Sequence, residues 1–173
     1  MTSRPPQAVA PVRAPVRAYV GLGANQGDPR RQIEAALEEL GALEDTRLAA
    51  RSSLYRTAPV GYADQPDFLN AVAALDTAQD PERLLAALHR IEARHLRERP
   101  FRNAPRTLDL DLLLYGDRRV DTPELTLPHP RMHERAFVLR PLVEIAPEAD
   151  VPGRGPAAAL LAACAGQDIE RLP

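Results

Sequence analysis

The chain contains no lysine: all 22 of its basic residues are arginines. That excludes a phosphate-loop lysine, a protein-kinase lysine and any Schiff-base mechanism. Phosphate chemistry here would have to rest on arginine forks and metal ions. Tryptophan is also absent, and aromatic residues make up only 4% of the chain. Cys164 is the single cysteine, so neither an internal disulfide nor a cysteine-built zinc site can form, and a cytoplasmic location is expected. No apolar run approaches the length of a membrane span. Prolines between Met1 and Arg17 interrupt the apolar centre that a signal peptide needs.

What is present suits one globular domain. The 173 residues are 45% hydrophobic and 27% charged, with a formal charge of −2. That balance gives no reason to expect attraction to nucleic acid or to an acidic membrane. Residues 1–17 read as a disordered leader and 18–173 as the domain.

A first strand is expected from Ala18, ended by Gly21 and Gly23. Asp28-Pro29 supplies an N-cap and a first-turn proline, and Ile33, Ala36, Leu37 and Leu40 follow at helical spacing up to Gly41. A second strand is expected over Ala49–Tyr55, a loop over Thr57–Pro66 and a third strand over Phe68–Leu75. Asp80-Pro81 opens a second helix with Leu84, Leu88, Ile91 and His95 on one face. An arginine-rich loop follows, then a strand over Thr107–Tyr115 and a hairpin from Gly116-Asp117 to a segment near Val120. Helices are expected over Ala136–Ile145 and Pro156–Ala165. The order strand, helix, strand, strand, helix, strand predicts an α+β, ferredoxin-like split β-α-β sandwich with a mainly antiparallel sheet.

Asp109-Leu110-Asp111 lies inside a predicted strand, so both carboxylates point to one face, about 7 Å apart along the strand, while the leucines enter the core. Such a pair suits magnesium, which accepts one or two carboxylates and takes its other ligands from water and phosphate. Taken alone it equally suits a solvated strand face. Between Arg90 and Arg106, however, six arginines stand against two glutamates. A helix dipole explains Arg90 and Arg94 but not Arg106, three residues before Asp109. Cationic groups ahead of a carboxylate pair are what phosphoryl transfer needs. His129, held between Pro128 and Pro130, could donate to a phosphate oxygen. Phe68 and Asn70 share a strand face and offer a stacking plane and an amide for a heterocycle edge. Gly21-x-Gly23 lacks the third glycine of a dinucleotide fingerprint, since Gln26 stands there.

In order and spacing these segments resemble the hydroxymethyldihydropterin pyrophosphokinase family from Ala18 to about Ala149. The most specific stretch runs from Ala104 to Gly116 and contains Pro105-Arg106-Thr107-Leu108-Asp109-Leu110-Asp111. Gly21–Asn25, Ser53–Pro59 with Gln65–Asn70, and Leu127–Arg131 with Phe137 agree as well. The resemblance implies attack of the hydroxymethyl oxygen of 6-hydroxymethyl-7,8-dihydropterin on the β-phosphorus of Mg-ATP, releasing AMP. It implies two magnesium ions on Asp109 and Asp111, with Arg97 and Arg106 as loop arginines. Phe68 and Phe137 would sandwich the pterin, Asn70 would bond its edge, and Thr57, Val60 and Gly61 would complete that pocket. Glu92, Arg99, Leu112, Thr126, His129 and Arg135 would contact ATP. Small-molecule substrates and a monomer are expected.

Two other readings compete. A ferredoxin-like RNA binder would need sheet aromatics interleaved with basic residues, and the carboxylate pair would repel phosphate. A regulatory module of the same architecture leaves the carboxylates and arginines without a purpose.

Overall fold

The computed structural model describes residues 14–59, 64–97 and 108–173. The leader up to residue 13 lies outside them. β1 (Val16–Ala24) alternates strictly, with Ala18, Val20, Leu22 and Ala24 buried on one face. It begins two residues before the expected Ala18. Val16 pairs with Thr77 and packs on the core, and Arg17 bonds Asp76 at 2.7 Å, so both belong to the sheet and not to the leader.

α1 (Pro29–Gly41) starts where its cap predicts: the Asp28 carboxylate accepts from Arg31 N–H at 3.2 Å, a bond that contributes about 1 kcal/mol. The expected second strand is two strands, β2 (Thr46–Arg51) and β3 (Tyr55–Thr57). The break falls at Ser52, whose hydroxyl accepts from Val72 N–H at 2.9 Å in place of the regular ladder. β4 (Phe68–Thr77) runs two residues past Leu75. α2 (Pro81–Arg97) is capped by Asp80, which accepts from Arg83 N–H at 2.9 Å, and it buries Leu84, Leu88, Ile91 and His95.

β5 (Asp109–Tyr115) follows. The expected hairpin back onto it does not form. β6 (Val120–Asp121) pairs instead with β7 (Thr126–Leu127), because Thr122 Oγ1 accepts from Leu125 N–H at 3.1 Å and closes the turn between them. α3 (Ala136–Ile145) matches its expected span, β8 (Asp150–Val151) pairs with β9 (Gly155–Pro156), and α4 (Ala157–Ala162) is shorter than expected. β10 (Glu170–Arg171) ends the chain's secondary structure.

Among the described residues the main sheet is six-stranded, in the order β10-β3-β4-β1-β5 with β2 also on β4, and every pair is antiparallel. β4 lies between β1 and β2, which splits the β-α-β unit and gives the α+β ferredoxin-like arrangement. α1 and α2 cover one face, joining Ile33, Leu84 and Leu88 to Val20, Leu22 and Leu110. α3 and α4 cover part of the other, joining Leu139 and Leu142 to Val72 and Leu113. No helix among the described residues is long and apolar enough to cross a membrane.

Candidate active site

Alternation on β5 sends Leu110 and Leu112 into the core under α1 and α2, and leaves Asp109 and Asp111 exposed on the opposite face. β5 is an edge strand, and its Leu110 N–H is taken by the Glu92 carboxylate of α2 at 3.0 Å. The peptide between the two aspartates is thereby fixed from the helix layer.

His129 is brought to the same edge by its backbone. Its N–H donates to Leu113 C=O at 2.9 Å, at the point where β5 bulges against β1. The Leu127–Pro128 peptide before it is cis. Arg131 N–H donates to His129 Nδ1 at 3.2 Å, so Nε2 carries the hydrogen of the neutral ring. That Nε2 lies 3.9 Å from Asp111 Oδ1. Burial holds the His129 pKa below its usual value; Asp111 opposes the shift, and Arg135 and Arg131 add to it.

A cleft of about 240 Å³ opens beside these groups, lined by Asp111, Leu112, Thr126 and His129, together with Leu85, His89, Pro123, Glu124, Leu125 and Pro130. His89 and Leu85 were not singled out in the sequence. Their spacing of four on α2, with Glu92 three further on, puts them on one face and is the signal that could have found them. A larger depression of about 580 Å³ at the other end of the sheet involves Arg47 and Asp76. Its Asp76 is already paired with Arg17 and Arg47, so it offers little to a phosphate ligand.

Across the sheet, Asn70 of β4 is buried, and its Nδ2 donates to Thr57 Oγ1 at 2.9 Å on β3. Phe68 opens β4, half-buried and paired with Thr57. The loop before it is tied to the end of β1, since Asn25 Nδ2 donates to Gln65 Oε1 at 2.9 Å and to Pro66 C=O at 3.2 Å. Phe137, half-buried, lies in the first turn of α3, with the Arg135 guanidinium 5.4 Å from its ring centroid.

Of the expected residues, Asp111, Leu112, Thr126 and His129 line one cleft, Asp109 stands two residues before Asp111 on the same strand face, and Glu92 holds the peptide between the two aspartates. Thr57 and Asn70 are joined by a hydrogen bond, and Arg135 and Phe137 form a pair of their own. Val60, Gly61, Arg99 and Arg106 lie outside the described residues. Arg97 ends α2, and its side chain is likewise outside them.

The oxygen donors fit a hard divalent cation: Asp109 and Asp111 present two exposed carboxylates and no soft ligand. Among the described residues no group of three or more potential metal-binding side chains exists. A cation here would therefore be shared between the carboxylates and a substrate, as magnesium is on phosphates.

Residues 19–147 match the model of the 7,8-dihydro-6-hydroxymethylpterin-pyrophosphokinase (HPPK) family. The 2-amino-4-hydroxy-6-hydroxymethyldihydropteridine pyrophosphokinase of Pseudomonas aeruginosa is 52% identical over 157 residues, covering 91% of this chain and 97% of that protein. The Haemophilus influenzae protein of the same name is 45% identical over 137 residues, covering 79% and 86%. In fold, the chain is similar to the wild-type Plasmodium falciparum HPPK-DHPS crystal structure, with a TM-score of 0.67 at 15% identity. That likeness covers 86% of this chain and 44% of the solved one, so the chain spans less than half of that longer protein. The carboxylate edge strand, the proline-flanked histidine and these sequence matches agree, and the chain belongs to the hydroxymethyldihydropterin pyrophosphokinase family.

Proposed function

We propose that the site across β4, β1 and β5 carries out in-line transfer of pyrophosphate from Mg-ATP to the pterin alcohol. By its family the protein is an enzyme, a pyrophosphokinase acting on hydroxymethyldihydropterin in folate biosynthesis. The observation that carries the site assignment is positional. The Asn70 amide and the Asp109 carboxylate belong to one row of the sheet, on strands that both flank β1.

In this reading Asn70 bonds the pterin edge, and Phe68 and Phe137 take its two ring faces. Thr57 orients the Asn70 amide, and Val60 and Gly61 are assigned to the same pocket. The hydroxymethyl oxygen then attacks the β-phosphorus, and its proton passes to water. The bond from that phosphorus to the α,β-bridging oxygen breaks, and AMP leaves with the bridging oxygen. Asp109 and Asp111 would hold two magnesium ions, which supply neutralisation of charge on the phosphate oxygens. His129 donates from Nε2, and Arg135 offers its guanidinium to the phosphates. Arg97 and Arg106 serve the same charge, and the cleft beside Leu112 and Thr126, with Glu92 and Arg99, takes the nucleoside. No side chain forms a covalent bond to substrate, so the absence of lysine removes nothing the reaction needs. The substrates in this reading are two small molecules, ATP and the pterin alcohol.

The test is AMP release from Mg-ATP, with and without 6-hydroxymethyl-7,8-dihydropterin, for wild type and Asp109→Ala. AMP formation should depend on pterin and fall by on the order of a hundredfold or more in the variant, as for loss of other preorganised charge. A variant as active as wild type would overturn the metal assignment.

A further inference from the structure

Gln167 lies beyond the residues that match the family model, in the turn that follows α4, yet its side chain grips the segment carrying Arg135 and Phe137. Its Oε1 accepts from Ala136 N–H at 2.9 Å, and its Nε2 donates to Glu134 C=O at 2.7 Å. Ala136 is the first residue of α3, and Arg135 at the N-cap makes no side-chain capping bond. One amide thus holds the backbone on both sides of Arg135. A simple cap needs only the acceptor arm. The second arm, to Glu134, fixes the peptide ahead of Arg135 and so the direction in which the helix starts.

The turn that carries Gln167 is itself seated. Cys164 is buried in the cluster that includes Ala136, and Gln167 N–H donates to Cys164 C=O at 3.0 Å. From there the chain runs into β10, where Arg171 pairs with Tyr55 of β3 and its Nε donates to Ser53 Oγ at 3.0 Å. The tail therefore meets the Phe137 wall at one end and the strand carrying Thr57 at the other.

We propose that the C-terminal segment from α4 to β10 is a brace that sets the two walls of the pterin site, with Gln167 as a positioning residue for Arg135 and Phe137. This rests on the reading that Phe137 and Asn70 face the pterin. Without the Gln167 bonds the start of α3 samples several directions, and pterin binding weakens although the core is untouched.

The experiment titrates the full chain with 6-hydroxymethylpterin by the pterin's own fluorescence, with magnesium and a non-hydrolysable ATP analogue present. Thermal midpoints are recorded alongside for Gln167→Ala, Gln167→Glu and Phe137→Ala. Gln167→Ala should raise the pterin Kd by about threefold to tenfold, the range one lost hydrogen bond represents. Gln167→Glu keeps an acceptor for Ala136 N–H but loses the donor arm, and should fall between it and wild type. A Gln167→Ala protein with a lower midpoint but wild-type Kd would overturn the brace and leave a plain helix cap. If Gln167→Ala does not fold, Gln167→Glu decides by the same comparison. A wild-type Kd in Phe137→Ala would overturn the site reading and the brace with it. Weakening in Phe137→Ala alone would overturn only the brace.

Discussion

Asn70 and Asp109 stand in one cross-strand row with Gly23 between them. Gly23 pairs with Asn70 on β4 and with Asp109 on β5. Adjacent strands lie about 4.8 Å apart, so the amide and the carboxylate leave the same sheet face about 10 Å from each other. No side chain rises between them, whereas Gly21, paired with Val72 and Asp111, lies under the Leu113 side chain. Gly23 is thus a strip of bare backbone between the group suited to a heterocycle edge and the carboxylate suited to magnesium.

Gly23→Ala tests that strip. The new Cβ would sit 3.2 Å from Asn70 Oδ1, close enough that the amide must shift. Gly23 does not have a positive φ, so alanine brings no backbone strain. Pterin affinity should fall about tenfold, as when a hydrogen-bonding group is misplaced, while the thermal midpoint moves by only about a few degrees. Fluorescence titration and calorimetry read the two quantities separately. Unchanged affinity would place the pterin edge elsewhere.

Glu92 supplies the next expectation. Its Oε2 accepts from Leu110 N–H, the donor between the two aspartates. Glu92→Ala removes that acceptor and loosens both carboxylates, whereas Glu92→Gln keeps an amide oxygen in reach. The magnesium concentration for half-maximal AMP release should rise about threefold to tenfold in Glu92→Ala and about twofold in Glu92→Gln. Equal shifts in the two variants would show that charge matters here and the hydrogen bond does not.

Features written in short-range patterns were legible in the sequence. Asp28-Pro29 and Asp80-Pro81 marked the starts of α1 and α2, and alternation around Leu110 put Asp109 and Asp111 on one face. Features made by long-range pairing were not. The break of the second strand depends on Ser52 meeting Val72, and the return of Val120 depends on its pairing with Leu127. Gly21 and Gly23 looked like half of a nucleotide motif because their meaning lies in register with β4 and β5. Gln167 carries no local signal at all: its two bonds join positions about thirty residues apart in sequence.

Glu144 and Tyr55 predict a pH profile of stability. The Tyr55 hydroxyl donates to Glu144 Oε1 at 2.5 Å, and Ser53 N–H donates to Oε2 at 2.7 Å. Burial pushes the Glu144 carboxyl up, but these bonds and Arg171 outweigh it and hold the pKa below its usual 4.5. Burial first, and then the bond to Glu144, pushes Tyr55 up to about 12. A lowered acid stabilises the fold above its unfolded pKa and loses that contribution as pH falls through the folded value. The raised tyrosine contributes fully below its usual 10 and loses that contribution as pH rises through about 12. The thermal midpoint of wild type should therefore fall at both ends, and Glu144→Gln should lower the plateau and flatten the acid limb. Parallel curves for the two proteins between pH 3 and 6 would refute the assignment.

His129 separates two ways of losing a donor. Its Nδ1 is occupied by Arg131 N–H, and its Nε2 is the atom nearest Asp111. Glutamine can carry an amide nitrogen close to the Nε2 position, while asparagine reaches only as far as Nδ1. If the ring serves by donating from Nε2 to a phosphate, His129→Gln should keep more activity than His129→Asn. The expected losses in kcat/KM for ATP are about tenfold for glutamine and on the order of a hundredfold for asparagine, the scale of one preorganised donor to developing phosphate charge. Pterin affinity should stay near wild type in both, because Asn70 and Thr57 lie across the sheet from His129. The reverse order, with asparagine the better substitute, would mean that Nδ1 and its bond to Arg131 matter more, and that His129 acts by shaping the loop after Pro128.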